Sequence, residues 1–220
     1  MPFKKLRCTF AQMLRCRGQQ DRASGFDWPS TNICNNGRSS GVVICYNLCM
    51  RILFISDIHG VPSALEAALA LGDSLGYDKL VLLGDLLYHG PRNGVPNFYD
   101  PVKVAAILNG LKDRIVAVRG NCDAEVDQMM FEFPMMSDYA ILEAGTETFF
   151  LTHGHLWNED KLPPLGMGTV LAHGHTHVPE LKKLACGISI FNPGSVALPK
   201  GGSARSVGYF DGASLKHYTI

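Results

Sequence analysis

The feature that most constrains the fold is a short apolar run that occurs three times, each time followed directly by polar residues. The runs 52–55, 80–83 and 115–118 are rich in branched side chains, which is typical of strands buried on both faces. Helical apolar patterns lie between them and start at Pro62 and Pro101, and proline is favoured in the first turn of a helix. Strands that alternate with helices predict a parallel sheet with crossover connections, whose strands all end at the same edge.

Ligand-type side chains follow each of the three strands. Asp57 and His59 follow the first strand, and Asp85 and Asn121 follow the second and third. In an open α/β sheet, ligands bind beyond the carboxyl ends of the strands, so these side chains are predicted to converge. The twofold repeat of a strand would also point Asp57 and His59 the same way. Taken alone, Asp57 fits a helix cap and His59 a turn residue equally well.

Most histidines are concentrated in the second half of the chain. Five of the eight fall in two short stretches that each follow an apolar strand pattern, at 148–151 and 169–172. These five are His153, His155, His173, His175 and His177. A lone histidine is more often structural than a ligand, but two such clusters indicate one shared site. Further strands are predicted at 139–143, 188–191, 207–210 and 215–219, the last two joined by a turn at Asp211 and Gly212.

These stretches supply mixed nitrogen and oxygen donors, and no thiolate is needed to complete the set. Such donors suit divalent ions such as Mn²⁺, Fe²⁺, Zn²⁺ or Ni²⁺. A structural zinc site is closed by four ligands, whereas two aspartates, one asparagine and several histidines are available here. The set therefore favours two ions that share a bridging carboxylate.

Composition places these stretches in one domain. The chain has 220 residues, 46% of them hydrophobic, which allows a sizeable core. Residues 1–49 hold seven basic and two acidic residues, and subtracting these from the 20 of each kind leaves 13 basic and 18 acidic in residues 50–220. This excess of acidic residues argues against stable nucleic-acid binding. No apolar run approaches the about 20 residues of a membrane-spanning helix, so no membrane association is predicted.

Residues 1–49 differ in character from the rest. They hold five of the seven cysteines and lack a sustained helix or strand period. They also lack the apolar core and cleavage site of a signal peptide, so a targeting peptide is the weaker alternative. We expect residues 1–49 to be a poorly ordered extension that results from assignment of an upstream start codon, followed by a domain at 50–220. With only Cys122 and Cys186, that domain does not resemble a secreted disulfide scaffold, so a cytoplasmic location is predicted.

Together, these motifs resemble the signature of the calcineurin-like metallophosphoesterases. The motifs occur in the order typical of that family and span residues 50 to about 200. They are Asp57-Ile58-His59, Gly84-Asp85, Gly120-Asn121, His153 and Gly174-His175-Thr176-His177. The resemblance implies an α/β fold, a four-layer α/β/β/α sandwich of two mixed sheets flanked by helices. It also implies a divalent-metal-dependent phosphodiesterase in which a hydroxide bound to a dinuclear metal centre attacks phosphorus.

By the same resemblance, Asp85 would bridge two metal ions. The first ion would be held by Asp57, His59, Asp85 and His177, and the second by Asp85, Asn121, His153 and His175. Mn²⁺ is favoured, with Fe²⁺, Ni²⁺, Zn²⁺ or Mg²⁺ as alternatives. The catalytic set is Asp57, Asp85, Asn121 and Cys122, and the substrate-binding set is Arg92, Asn121 and His155.

Cys122 departs from the family pattern, because many members carry a histidine there that can protonate the leaving group or hold the phosphate. A neutral thiol replaces imidazole poorly near pH 7, so small diesters and activated esters are the expected substrates. His155 and His173 are alternatives for the missing acid, although support of the metal ligands by His155 and simple packing of His173 are favoured. Asp123 is expected to orient neighbouring groups or to cap the next helix, and His89 to be a solvated loop residue.

Two other functions remain open at this stage. The chain could be a non-catalytic protein-interaction platform on the same fold, although such a protein would have no need for a complete set of donors. It could also be a phosphomonoesterase. A homodimer or larger homo-oligomer is predicted if Phe98, Tyr99, Phe131 or Phe133 form an exposed apolar patch, but these residues could equally be buried.

Overall fold

The structure is a computed structural model that describes residues 50–220 and, before them, the backbone of two short strands. Strands β1 (Asn32–Cys34) and β2 (Val43–Cys45) pair antiparallel, with Asn32 opposite Cys45. They belong to a separate unit of the chain, which comes before the unit that starts at Leu48. The predicted low order of residues 1–49 otherwise concerns positions outside the described residues.

Residues 50–220 contain ten strands and three α-helices. The strands are β3 (Ile52–Ile55), β4 (Lys79–Leu82), β5 (Ile115–Ala117), β6 (Tyr139–Ala144), β7 (Glu147–Thr152), β8 (Thr169–Ala172), β9 (Glu180–Lys183), β10 (Ser189–Asn192), β11 (Ser206–Phe210) and β12 (Leu215–Thr219). The helices are α1 (Pro62–Leu75), α2 (Pro101–Asn109) and α3 (Glu125–Gln128). All nine predicted strands are present, with ends that differ from the prediction by at most one residue.

The strands form two mixed sheets of five. The first sheet has the order β12-β11-β3-β4-β5, and the pairs β3–β4 and β4–β5 are parallel, as the crossover pattern predicts. The second sheet has the order β6-β7-β8-β10-β9, in which β7–β8 and β8–β10 are parallel. Sequence reasoning missed β9, because this edge strand alternates exposed and half-buried residues and has no apolar run to reveal it.

Helices α1 and α2 begin where proline predicts. Pro62 and Pro101 each occupy the first turn, and the Asp100 side chain accepts a hydrogen bond from the Lys103 backbone nitrogen at 2.9 Å. Helix α1 continues through Gly72 and ends at Gly76, which has a positive φ of 72°. A Cβ on Gly72 would lie 2.5 Å from the side chain of Leu53, so glycine lets this helix pack closely on the first sheet.

The core lies in layers on either side of the sheets. Between the sheets, the Phe54 ring packs against Phe149 and Phe191, with ring centroids 5.5 Å and 5.3 Å away. The outer face of the first sheet is covered by α1, α2 and the segment 131–135. The outer face of the second sheet is covered by residues of the irregular segment 157–165. The predicted α/β sandwich of two mixed sheets flanked by helices is thereby confirmed, with α1 and α2 on the first sheet and an irregular segment in place of a helix on the second.

The structure decides the expectation of an exposed aromatic patch. Phe131 and Phe133 are buried, and Tyr99 is half-buried, so the four-residue aromatic patch does not form around Phe98, the one strongly exposed member. The Phe131 and Phe133 rings lie tilted against each other with centroids 4.8 Å apart, and both belong to the core cluster that includes buried residues of α1 and α2. In the part of the chain that the structure describes, no helix is both long and apolar enough to cross a membrane.

Candidate metal centre

The predicted ligand residues lie in the turns that follow strands of both sheets. Asp57 and His59 follow β3, Asp85 follows β4, and Asn121 comes shortly after β5. On the second sheet, the turns after β7 and β8 carry the remaining three, which are His153, His175 and His177. Because these strand ends face one another across the sandwich, the structure brings all seven side chains together.

The backbone at this centre is strained. Six non-glycine residues among those described have a positive φ, and five of them are Asp57, His59, Asp85, His175 and His177, with φ from 48° to 68°. Left-handed conformations are costly for such residues and cluster at functional sites. The expected explanation for Asp57 and His59, alternation along a strand, is therefore wrong. Both lie beyond the end of β3, and left-handed turns aim their side chains instead.

One group of ligand atoms is formed by Asp57, His59 and His177. The Asp57 Oδ1 atom lies 3.2 Å from His177 Nε2 and 3.8 Å from His59 Nε2, and the two Nε2 atoms are 3.4 Å apart. The other imidazole nitrogens donate to backbone carbonyls, His59 Nδ1 to Tyr88 at 2.8 Å and His177 Nδ1 to Leu198 at 2.5 Å. Each Nε2 atom is thus left with its lone pair directed at the carboxylate.

Asp85 joins this group to a second one. Its Oδ2 atom lies 3.8 Å from His59 Nε2, and its Oδ1 atom lies 3.5 Å from His153 Nε2. His153 Nε2 is also 3.1 Å from the Asn121 Oδ1 atom, while His153 Nδ1 donates to the Leu83 carbonyl at 2.6 Å. The His175 ring centroid lies 5.1 Å from that of His153. The two oxygens of Asp85 therefore face opposite groups.

This donor set fits divalent cations. Asp57 Oδ2 accepts hydrogen bonds from Ser56 Oγ at 2.7 Å and from the His175 backbone nitrogen at 3.1 Å, whereas buried Oδ1 has no hydrogen-bond partner. A buried carboxylate oxygen without a donor, facing two imidazole lone pairs, is costly unless a positive charge lies among them. Carboxylate, amide and imidazole are ligands for divalent metals of the first transition series.

The electrostatics also favour a cation. Burial raises the pKa of Asp85, but the hydrogen bond and charge of His153 outweigh it, so the pKa of this carboxyl lies below its ordinary value. Burial lowers the pKa of His153, but Asp85 and Asp57 raise it to about 9. For His175, burial and the charge of His153 lower the pKa to about 4. A carboxylate that is ionised throughout the ordinary pH range can serve as a shared ligand.

Asp123 holds the turns that carry Asp85 and Asn121. Its carboxylate accepts backbone hydrogen bonds from Asp85 at 2.8 Å, Leu86 at 2.9 Å and Gly120 at 2.7 Å. Burial raises the pKa of Asp123 to about 6, although these donors partly offset that effect. Of the two expectations for this residue, orientation of neighbouring groups is the one observed. The first turn of α3 is capped by Asp127 instead.

Sequence reasoning missed two serines that fix the turn after β3. Ser195 Oγ donates to the Asp57 carbonyl at 2.8 Å and accepts from the Leu198 backbone nitrogen at 2.8 Å. It thereby links the turn after β3 to the segment that contains Leu198. The Leu198 carbonyl accepts the hydrogen bond that orients His177. The second is Ser56, the donor to Asp57 Oδ2. The turn signal Asn192-Pro193-Gly194-Ser195 was visible in the sequence, but it did not reveal which turn the serine would hold.

Two glycines permit close approach of the ligand-bearing segments. A Cβ on Gly120 would lie 2.0 Å from Asp85 Oδ1, and one on Gly174 would lie 1.8 Å from Ser56 Oγ. Neither glycine has a positive φ. They are therefore needed because there is no room for a side chain between the strand ends, rather than for an unusual backbone conformation.

The centre opens into a cavity of about 620 Å³. Its lining includes the candidate ligands Asp85, Asn121, His175 and His177 together with two cations, Arg92 and Lys200. Arg92 was predicted as a phosphate contact, whereas Lys200 was missed because it lies far along the chain from every ligand motif. Two cations beside the ligand residues would favour an anionic substrate.

The other candidate residues occupy different environments. Cys122 lines the cavity; burial and the charge of Asp85 raise the pKa of its thiol to about 12. The ring of His155 lies 5.5 Å from that of His153, beside the centre but outside the cavity lining. His173 is buried against the Gly174 carbonyl. The His89 ring packs between Tyr88 and Tyr99 rather than lying free in solvent.

Comparison with known proteins gives consistent matches. The calcineurin-like phosphoesterase superfamily domain matches residues 50–214. The chain is 47% identical over 162 residues to Phosphodiesterase YfcE of Escherichia coli K12, covering 74% of this chain and 88% of that protein. It is 26% identical over 159 residues to the probable metallophosphoesterase YsnB of Bacillus subtilis, covering 69% and 78%. A solved structure of Yfce, a phosphoesterase from E. coli, matches with a TM-score of 0.71 at 46% identity, covering 74% and 88%.

Proposed function

Because the chain belongs to the calcineurin-like phosphoesterase superfamily, we propose that it is a divalent-metal-dependent phosphodiesterase acting on small diesters. The family makes it a phosphoric ester hydrolase. The preference for diesters is supported by the 47% identity to a protein named as a phosphodiesterase. It is also supported by the thiol at Cys122, which holds its proton near neutral pH and is a weak acid for a departing alcohol.

Two metal ions are proposed, with Mn²⁺ favoured. Asp57, His59, Asp85 and His177 would hold one ion, and Asp85, Asn121, His153 and His175 the other. Two such ions supply Lewis acidity that polarises phosphoryl oxygens and makes water a stronger nucleophile at neutral pH. The observation that carries this proposal is the unpartnered Asp57 Oδ1 atom, which faces the Nε2 atoms of His59 and His177.

The surrounding side chains would position the diester for hydrolysis. Arg92 and Lys200, on the wall of the same cavity, would attract the phosphate anion. Asn121 offers an amide at its edge, and its Nδ2 atom is 3.2 Å from Cys122 Sγ. During reaction the oxygen of water bonds to phosphorus and one proton of that water passes to solvent. The ester P–O bond breaks, and the departing alcoholate takes up a proton from solvent. Position 122 carries a thiol, so no imidazole is present there to donate a proton to the leaving group. Diesters whose alcohol has a low pKa should therefore be hydrolysed fastest.

His155 would act by supporting this centre from outside the cavity. Its ring packs at 5.5 Å and 6.3 Å from the rings of His153 and His175, measured between centroids. We also propose that the His155 ring contacts a bound substrate. A cytoplasmic location and the absence of stable nucleic-acid binding likewise stay predictions, which rest on cysteine usage and on the acidic composition of residues 50–220. The homo-oligomeric state also stays a prediction, although Phe98 is the one strongly exposed residue of the four on which it depended.

The proposal is tested by metal depletion and reconstitution. The protein is stripped with a chelator, Mn²⁺ is restored, and hydrolysis of bis(4-nitrophenyl) phosphate is compared with that of 4-nitrophenyl phosphate. We expect turnover that requires the metal, favours the diester and is lost in Asp85→Ala. Asp73→Ala, an exposed residue of α1, serves as the control and should retain full activity. Tight metal binding without turnover of either ester would favour the interaction platform instead.

A further inference from the structure

A second cavity adjoins the one at the metal centre. It has a volume of about 390 Å³ and shares Tyr88, Cys122 and Ala124 with the lining of the larger cavity. The remainder of its wall is mainly apolar and includes Leu87, Tyr99, Val102, Val126 and Met130. These three shared residues place the second cavity directly beside the candidate metal centre.

We propose that this second cavity is a binding site for an apolar ester group, aryl or alkyl, of the diester substrate. The inference rests on the proposed function, since it requires the phosphate to lie at the metal centre. Hydrophobic burial supplies the affinity, because an organic group that leaves water for an apolar cavity gains free energy in proportion to its buried area.

The charges of the two cavities differ in a way that sets the orientation of the substrate. Arg92 and Lys200 line the larger cavity, whereas the one charged residue in the lining of the second is Asp127. The Asp127 carboxylate accepts a hydrogen bond from the Ala124 backbone nitrogen at 2.9 Å. An anionic wall disfavours a second phosphate, so the group it accepts is uncharged rather than a nucleotide polyphosphate.

The walls of the second cavity are fixed to the ligand-bearing turn. The Tyr88 carbonyl accepts the hydrogen bond from His59 Nδ1 at 2.8 Å, so this residue is held by a candidate ligand. The Tyr99 ring lies against Gly60, where a Cβ would be 2.4 Å from Tyr99 Cε2, and the Asp100 backbone nitrogen donates to the Gly60 carbonyl at 2.7 Å. The Tyr88 backbone and the Tyr99 ring are therefore already positioned, which lowers the ordering cost of binding an apolar group.

The test measures binding of two phosphonates that carry one organic group each. Calorimetry with the Mn²⁺-loaded protein compares phenylphosphonate with methylphosphonate. We expect phenylphosphonate to bind tighter by about tenfold or more, the order expected for burial of an aromatic ring. Equal affinities would overturn the proposal.

Variants then locate the preference. Val126→Asp and Val102→Asp place a charge on the wall at positions that are 63% and 64% exposed and lie in first turns of helices, where aspartate is tolerated. Each should bring the ratio of the phenylphosphonate affinity to the methylphosphonate affinity close to one, because repulsion between the added carboxylate and the phosphonate acts on both ligands alike. Val95→Asp, 68% exposed and outside both linings, is the matched control and should retain the preference.

Two failures can be distinguished. A phenyl preference that survives in both wall variants would overturn this binding site and leave the phosphodiesterase intact. If neither phosphonate binds and no diester is hydrolysed with any divalent ion, the proposed function itself is overturned, and the assignment of this site with it.

Discussion

At the scale of single residues, the candidate metal centre depends on a carboxylate oxygen that has no hydrogen-bond donor and on glycine positions where no side chain fits. Asp57 is held through one oxygen, and its other oxygen remains free for a ligand role. Gly120 lies so close to Asp85 that the carboxylate occupies the space of a Cβ. Small changes at such positions should therefore alter metal affinity more than overall stability.

Gly120→Ala should weaken metal binding by about 10–100-fold, the effect typical of disturbing a group that orients a ligand. The added methyl group would lie 2.0 Å from Asp85 Oδ1 and must displace it. Titration calorimetry with Mn²⁺ gives the affinity. Gly166→Ala is the matched control, because a Cβ there meets nothing within 4 Å. Equal affinities in the two variants would show that Asp85 is not a ligand.

Cys122→His should raise hydrolysis of diesters with poor leaving groups, by about tenfold or more, since a positioned general acid contributes about 10²–10⁴-fold. The thiol, with its pKa raised to about 12, supplies little acidity near neutral pH. The readout is kcat for a methyl alkyl phosphate beside kcat for a 4-nitrophenyl diester, whose leaving group needs no proton. Cys122→Ser should show no gain, and an unchanged rate in Cys122→His would contradict the assignment.

At the scale of elements, hydrogen bonds join the turns in which the strands end. One carboxylate joins two of these turns. Asp123 binds three backbone N–H groups in the turns after β4 and β5. Ser195 plays a similar part between the turn after β3 and the segment that follows β10. The spacing between ligands is thus set by hydrogen bonds between neighbouring turns, and the strands supply the rigid base.

Asp123→Ala should lower the free energy of unfolding by about 3 kcal/mol, because it leaves buried N–H groups unpaired, and it should weaken Mn²⁺ binding as well. Denaturant unfolding and calorimetry measure the two effects. Asp100→Ala is the comparison, since it removes only the cap of α2. This should cost about 1 kcal/mol and leave metal affinity unchanged. If Asp123→Ala lowers the free energy of unfolding but leaves the Mn²⁺ affinity unchanged, the role of Asp123 is structural only.

At the scale of the whole molecule, the centre joins the two sheets. Asp57, His59, Asp85 and Asn121 come from the first sheet, and the three remaining histidines from the second. Among the described residues, three groups of side chains could hold an ion, and two of them, Asp57-His59-His177 and Asp57-Asp85-His153, combine residues of both sheets. The third, His59-Asp85-Cys122, comes from the first sheet alone. Bound metal should therefore act as a cross-link between the halves of the sandwich.

Chelation should lower Tm by about 10 °C. A ligand present at about 1,000 times its Kd stabilises the folded state by about 4 kcal/mol, and for a domain of this size about 2–4 °C corresponds to each kcal/mol. Thermal unfolding with and without chelator provides the measurement. Asp85→Ala, which removes the shared ligand, should respond far less. If the chelator does not change the Tm of the unaltered protein, the hypothesis that a metal ion binds residues of both sheets is contradicted.

We propose that residues 50–220 are the catalytic unit and that residues 1–49 are dispensable. The family match begins at residue 50, and Met50 packs directly against the core between the sheets. A chain that begins at Met50 should retain the Tm and the Mn²⁺-dependent diester hydrolysis of the full chain within experimental error. Failure to fold, or loss of activity, would assign the first 49 residues to the working domain.

The sequence by itself determined nine of the ten strands in residues 50–220 and the types of side chain that the candidate site contains. Apolar runs such as 52–55 are strands because their pattern acts locally, and the fold class follows from their alternation with helices. The types and order of the ligand residues were also visible, since each follows such a run. These properties depend on residues close together in the chain, which is why reading along it recovers them.

Only the tertiary structure decided how those side chains meet. The left-handed turns at Asp57 and His59, the hold of Asp123 on three neighbouring N–H groups, the burial of Phe131 and the place of Lys200 beside the centre could not be read from the sequence. Each depends on contacts between segments far apart in the chain. A strained conformation or a buried polar group persists only where the surrounding structure compensates its cost, and that compensation arises when the sheets pack.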